Sequence, residues 1–98
     1  MLTPKQRSTL RSLANDLQPI FQVGKQGIND NLIKQVNDAL EARELIKLTA
    51  LTTAPLGARE ACEALAAATG AEAVFAIGNR FVLFRPSKEA KNRKIFID

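Results

Sequence analysis

The spacing of apolar positions changes repeatedly along this chain, and each change marks an element. Leu10, Leu13, Ala14 and Leu17 recur at helical spacing and form one stripe. Ahead of them, Thr3 suits an N-cap, Pro4 the first helical position, and Gln6 completes a capping box. Pro19 ends this helix near Leu17, because the residue before a proline avoids the α region. Ile20 to Val23 read as a short strand. After Gly24-Lys25-Gln26-Gly27, Asn29 caps a second helix whose first turn holds Asp30. Leu32, Ile33, Val36, Ala39 and Leu40 form its buried face, and it ends near Arg43. Leu45 to Leu51 carries apolar residues on both faces, as an interior strand does.

A third helix is predicted from about Leu56 to Thr69, with Ala58, Ala61, Cys62, Leu65 and Ala66 on one face and Gly70 just past its end. Glu72 to Ile77 and Phe81 to Arg85 are strands, joined by Gly78-Asn79 in a tight hairpin turn. Pro86 stops the last strand. The predicted order is α-β-α-β-α-β-β, a compact α/β domain with a four-stranded mixed sheet and three helices. Two arrangements remain open: a two-layer sandwich, or a sheet with helices on both faces. The domain spans residues 1–88. Residues 89–98 read as a basic, mobile tail that Ile95, Phe96 and Ile97 can dock.

Composition narrows the function. The 98 residues make one domain, and an apolar content of 46% supplies one modest core. Cys62 is the sole cysteine and histidine is absent, so a disulfide scaffold and His-based catalysis are excluded and a zinc site is disfavoured. No metal or other cofactor is expected. No signal peptide is legible after Met1, and no apolar run approaches the roughly 20 residues that span a bilayer. A cytoplasmic monomer is the expectation.

Charge is uneven along the chain. Residues 1–28 sum to +3, residues 29–79 to −3 and residues 80–98 to +4. If the two basic ends meet in space, they form one positive face suited to a polyanion.

Gly24-Lys25-Gln26-Gly27 sits between a strand and a helix. Paired glycines leave the backbone bare and allow positive φ, and the helix start adds free amides and a positive dipole end. Such a GxxG loop can receive a phosphate, with Lys25 adding charge. Two glycines at this spacing are also an ordinary turn. Arg7 and Arg11 lie together on one flank of the first helix, with no acidic residue three or four positions away. Guanidinium groups so placed suit phosphates. Arg85, Lys88 and Lys91 open the basic C-terminal stretch, which can add electrostatic affinity for RNA. Phe21, Phe75, Phe81 and Phe84 fall in strands, where core packing is the expected role, so no stacking platform is evident. The carboxylates are scattered and Cys62 lies on a buried face, so no catalytic set emerges and an enzyme is not expected.

These pieces together resemble a known family. Leu2-Thr3-Pro4-Lys5-Gln6-Arg7, Leu10-Arg11, Ala14, Pro19 and Val23-Gly24-Lys25-Gln26-Gly27 look like the start of a CRM domain, named for chloroplast RNA splicing and ribosome maturation. Glu44 to Leu48 and Gly78 to Lys88 match its later segments, so the resemblance covers residues 2–88. A free-standing copy of this length resembles the bacterial YhbY-type members. The resemblance implies a fold similar to the C-terminal domain of the third bacterial translation initiation factor. It implies binding to RNA, rRNA of large-subunit precursors in pre-ribosomal particles, with the loop Gly24 to Gly27 in contact and Arg7, Arg11 and Lys25 beside it. Gln18 and Asn15 depart from the lysine and histidine common there. The competing reading is a protein-interaction module that docks an acidic, ribosome-associated partner on the same basic face.

Overall fold

The structure is a computed structural model and describes residues 2–93 and 95. Its elements follow the predicted order: α1 (Pro4–Ala14), β1 (Phe21–Val23), α2 (Asp30–Arg43), β2 (Leu45–Ala50), α3 (Ala58–Thr69), β3 (Glu72–Ile77) and β4 (Arg80–Phe84), with a short 3-10 turn at Ala90–Asn92. The sheet order is β1-β2-β4-β3. β1 and β2 are parallel, as the α2 crossover between them requires. β4 runs antiparallel to both β2 and β3.

Alternation along β4 divides the core. Phe81 and Leu83 face α2 and α3, where Val36, Leu40, Ile46, Leu48, Ala61 and Leu65 pack around them. Val82 and Phe84 face α1 and meet Leu10, Ala14, Leu45 and Val74. Helices therefore cover both faces, which decides between the two open arrangements. Each fully buried Leu or Phe contributes roughly 1.5–3 kcal/mol by leaving water.

Local signals formed the expected ends. Thr3 and Gln6 make the reciprocal capping box. The Asn29 side chain accepts from the Leu32 amide at 2.8 Å. Gly70 closes α3 in the left-handed conformation. In the hairpin only Gly78 has positive φ, the sign pattern of a II′ turn. α1, however, stops at Ala14 instead of near Leu17. Asn15 and Asp16 follow, residue types that favour turns over helix, and the Leu17 amide closes a turn onto the Ala14 carbonyl at 3.0 Å. Leu17 still packs on the α1-side core from outside the helix, while Leu13 is left 46% exposed.

Two features come from pairings distant in sequence. A bulge between Ala73 and Phe75 directs Val74 and Phe75 together toward the α1 side. The Arg7 guanidinium donates to the freed carbonyls of Ala73 and Val74. β3 is an edge strand, so the bulge and the arginine blunt an edge open to foreign strands.

The second feature is Glu44, buried at the C-cap of α2 with φ of 67°. Its carboxylate accepts from the amides of Ser87 at 2.8 Å and Ile95 at 3.1 Å. Glu41 accepts from the Ser87 hydroxyl and the Lys88 amide, each at 2.8 Å. Ile95 packs on the α1-side core with Leu2 and Leu17. The segment after β4 is thus laid back on α2, and Ile95 supplies the docking contact that the sequence allowed. Phe96 and Ile97 lie outside the described residues. Among the described residues no helix is long and apolar enough to cross a membrane.

Candidate nucleic-acid interface

The loop Gly24 to Gly27 leaves the carboxyl end of β1. The Gly27 amide donates to the Gly24 carbonyl at 2.9 Å, which puts Lys25 and Gln26 at the tip of a turn, both exposed. The two glycines differ in role. Gly27 has φ of +67°, and a Cβ there would lie 3.0 Å from Cγ of Pro55. Gly24 lacks a positive φ, and its Cβ would make only an ordinary contact with Leu51. Asn29 caps α2 with its oxygen and donates through Nδ2 to Oε1 of Gln26 at 3.3 Å, tying the loop tip to the helix start.

Beside the loop is a shallow depression of about 300 Å³. Gln22, Lys25, Gln26, Asn29, Asn31 and Gln35 supply its polar lining, and Lys25 is the one charge among the lining residues. Because α2 and α3 each follow a parallel strand, both helices begin at this end of the sheet. Their positive dipole ends face the same edge, where anions are favoured. Asp30 and Glu60 in their first turns offset part of that field.

The other basic residues do not gather at the loop. Arg7 is engaged at the β3 bulge. The Arg11 guanidinium lies over the Phe75 ring, 5.0 Å from its centroid, a cation–π contact. Phe75 is half-buried, so this aromatic presents a face instead of disappearing into the core, as Phe81 and Phe84 do. Arg85 bonds the Asn37 side chain at 2.6 Å and the Thr69 carbonyl at 2.7 Å, and pairs with Glu41 at 3.7 Å. Lys88 and Lys91 are exposed beside it. This group sits at the opposite end of the sheet: β4 advances about 3.3 Å per residue, or roughly 17 Å from Arg80 to Arg85.

Lys47 and Arg80 are basic residues of the sheet that no local motif singles out. Lys47 and Thr49 occupy the α1 side of β2, and this alternation was legible inside a strand read as apolar on both faces. Cys62 is buried, donates weakly to the Val82 carbonyl, and burial pushes its thiol up to about 11. That is a structural thiol, not a nucleophile. Among the described residues no group of His, Cys, Asp or Glu could hold a metal.

A family model described as the CRS1/YhbY (CRM) domain matches residues 2–85. The chain belongs to the CRM domain family. The match ends with Arg85, so it takes in the loop, all four strands and all three helices. A Bacillus subtilis protein named "Probable RNA-binding protein YqeI" is 52% identical over 91 residues, covering 93% of this chain and 95% of that one. A Haemophilus influenzae protein named "RNA-binding protein" is 33% identical over 90 residues, covering 92% and 91%. The fold is similar to the solution structure of the hypothetical protein SAV1595 from Staphylococcus aureus. It has 49% identity and a TM-score of 0.78, and the match covers 97% of this chain and 99% of that one.

Proposed function

We propose that this CRM protein binds RNA, without catalysing a reaction, and acts in ribosome assembly on precursor rRNA of the large subunit. The observation that carries the reading is the Gly24 to Gly27 turn on the start of α2, with Lys25 and Gln26 exposed at its tip, in a chain whose relatives are named for RNA binding. A phosphate meets backbone amides, a helix dipole and one exposed ammonium there. Gln26 and the neighbouring amide side chains supply further donors and acceptors.

The remaining basic residues divide by what holds them. Lys88 and Lys91 offer exposed ammonium groups to an RNA long enough to reach the far end of the sheet. Arg11 presents a guanidinium already ordered by Phe75. Arg7 and Arg85 act chiefly through the protein, by fixing the β3 bulge and the start of the C-terminal segment. Phosphate contacts of this kind position a protein without reading bases, so selectivity comes from the shape of the pre-ribosomal site.

Crosslinking in cells, followed by sequencing of the attached RNA, tests the reading. Enrichment of large-subunit precursor rRNA is expected, with loss of signal in Lys25→Glu. Association with ribosomal particles that survives complete RNA digestion would point instead to an acidic protein partner.

A further inference from the structure

The α1 side of the sheet is only partly covered. α1 lies over Leu45, Val74, Val82 and Phe84. At the loop end, one row of residues crosses all four strands without a helix above it. Gln22 pairs with Thr49, Thr49 with Arg80, and Arg80 with Ile77, so the four share a face. Gln22 and Arg80 are exposed, Ile77 is 55% exposed and Thr49 is half-buried. Lys47 lies on the same face one step along β2, and Phe75 with its Arg11 lies one step along β3.

We propose that this open row is a second RNA-contact surface, and that it takes a single-stranded segment running on from the element held by the loop. The proposal rests on the reading of the loop as an RNA site and adds the class of RNA that continues from it. Charge supports it. Lys47 and Arg80 form no ion pair among the described residues, and the one acidic residue in the four strands, Glu72, pairs with Phe84 at the far end of β3. Continuity supports it as well, because Gln22 lines the loop depression and also begins the row.

Dimensions favour a single strand. Three inter-strand spacings of about 4.8 Å make the row roughly 14 Å wide. A flat surface of that size suits splayed bases, which pack on apolar and aromatic groups while cations meet the backbone. Ile77 and the Phe75–Arg11 stack supply the former, Arg80 and Lys47 the latter. Gln22 and Thr49 supply hydrogen bonds to ribose or base edges.

The experiment compares a folded hairpin with the same hairpin carrying a short unpaired extension at its 5′ or 3′ end, at fixed salt. For the parent protein, one of the two extensions should raise affinity several-fold. The double variant Lys47→Ser, Arg80→Ser should bind the bare hairpin as the parent does and lose that gain. Arg80→Ser alone, a change at an exposed position, should lose part of it and serves if the double variant fails to fold. Lys25→Glu should weaken both RNAs alike. No gain from either extension, a gain that persists in the serine variants, or serine variants that weaken the bare hairpin equally would each overturn the row while leaving the loop intact. Failure of the parent to bind either RNA would remove the loop reading and the row together.

Discussion

The Cβ position of Gly27 lies 3.0 Å from Cγ of Pro55, so the turn that carries Lys25 is locked onto the segment entering α3. With φ of +67° as well, Gly27 resists any side chain. Gly27→Ala should destabilise the fold by about 1–3 kcal/mol in urea denaturation. Gly27→Asp would therefore mix folding with binding. Lys25→Ala should change stability by no more than about 0.5 kcal/mol and lower RNA affinity. If Gly27→Ala is as stable as the parent, the lock is absent.

Arg85 and Lys88 are three residues apart and should behave in opposite ways. Arg85 holds Asn37, Thr69 and Glu41 in place, whereas the Lys88 side chain is exposed. Arg85→Met should cost about 1–3 kcal/mol, because it strands a largely enclosed carbonyl. Lys88→Ala should leave stability nearly unchanged and reduce the salt slope of RNA binding by about 0.7–0.9, the share of one phosphate contact. Equal stability losses would show that both residues are structural.

Acid should release the C-terminal segment from α2. The Ser87 hydroxyl and the Lys88 amide donate to Glu41 and hold its carboxyl below the usual glutamate range; burial opposes them and Arg85 assists. A carboxyl depressed in the folded state contributes stability that is fully present above its unfolded pKa, near 4.3, and is lost as pH falls through the folded value. The Lys88 amide resonance should therefore shift in a titration centred below about pH 4.3, and Glu41→Gln should abolish that shift. A midpoint at or above the ordinary glutamate value would contradict the arrangement.

Cys62 should be inert in the folded protein. With its thiol at about 11, little thiolate exists at neutral pH, and the side chain is 2% exposed. Alkylation should follow the denaturant dependence of global unfolding. Rapid labelling under native conditions would mean that α3 opens locally.

What the sequence disclosed follows the range of the interactions. The Thr3–Gln6 box, the Asn29 cap, Gly70 and the Gly78 turn each involve neighbours within a few residues, and all form as read. Lys25 at the tip of an exposed turn was legible for the same reason. The role of Arg7 depends on a bulge 66 residues away, and no local pattern announces it. Glu44 gives no warning either, since the Ser87 and Ile95 amides that its buried carboxylate meets lie beyond the last strand. Arg85 reads as a surface cation because its partners Asn37 and Thr69 lie far off in sequence, in α2 and α3. The local strand–GxxG–helix pattern located the loop, but the separation of the basic residues between two ends of the sheet needed the strand directions.

The loop reading meets its most direct test in a residue-resolved NMR titration with a folded hairpin from large-subunit rRNA, at near-physiological salt. Amide shifts should saturate and concentrate at Gly24 to Gly27 and the first turn of α2, and Lys25→Glu, still folded, should lose them. Saturable binding that leaves residues 24–27 unmoved, or that persists unchanged in Lys25→Glu, would contradict the assignment of RNA recognition to this loop.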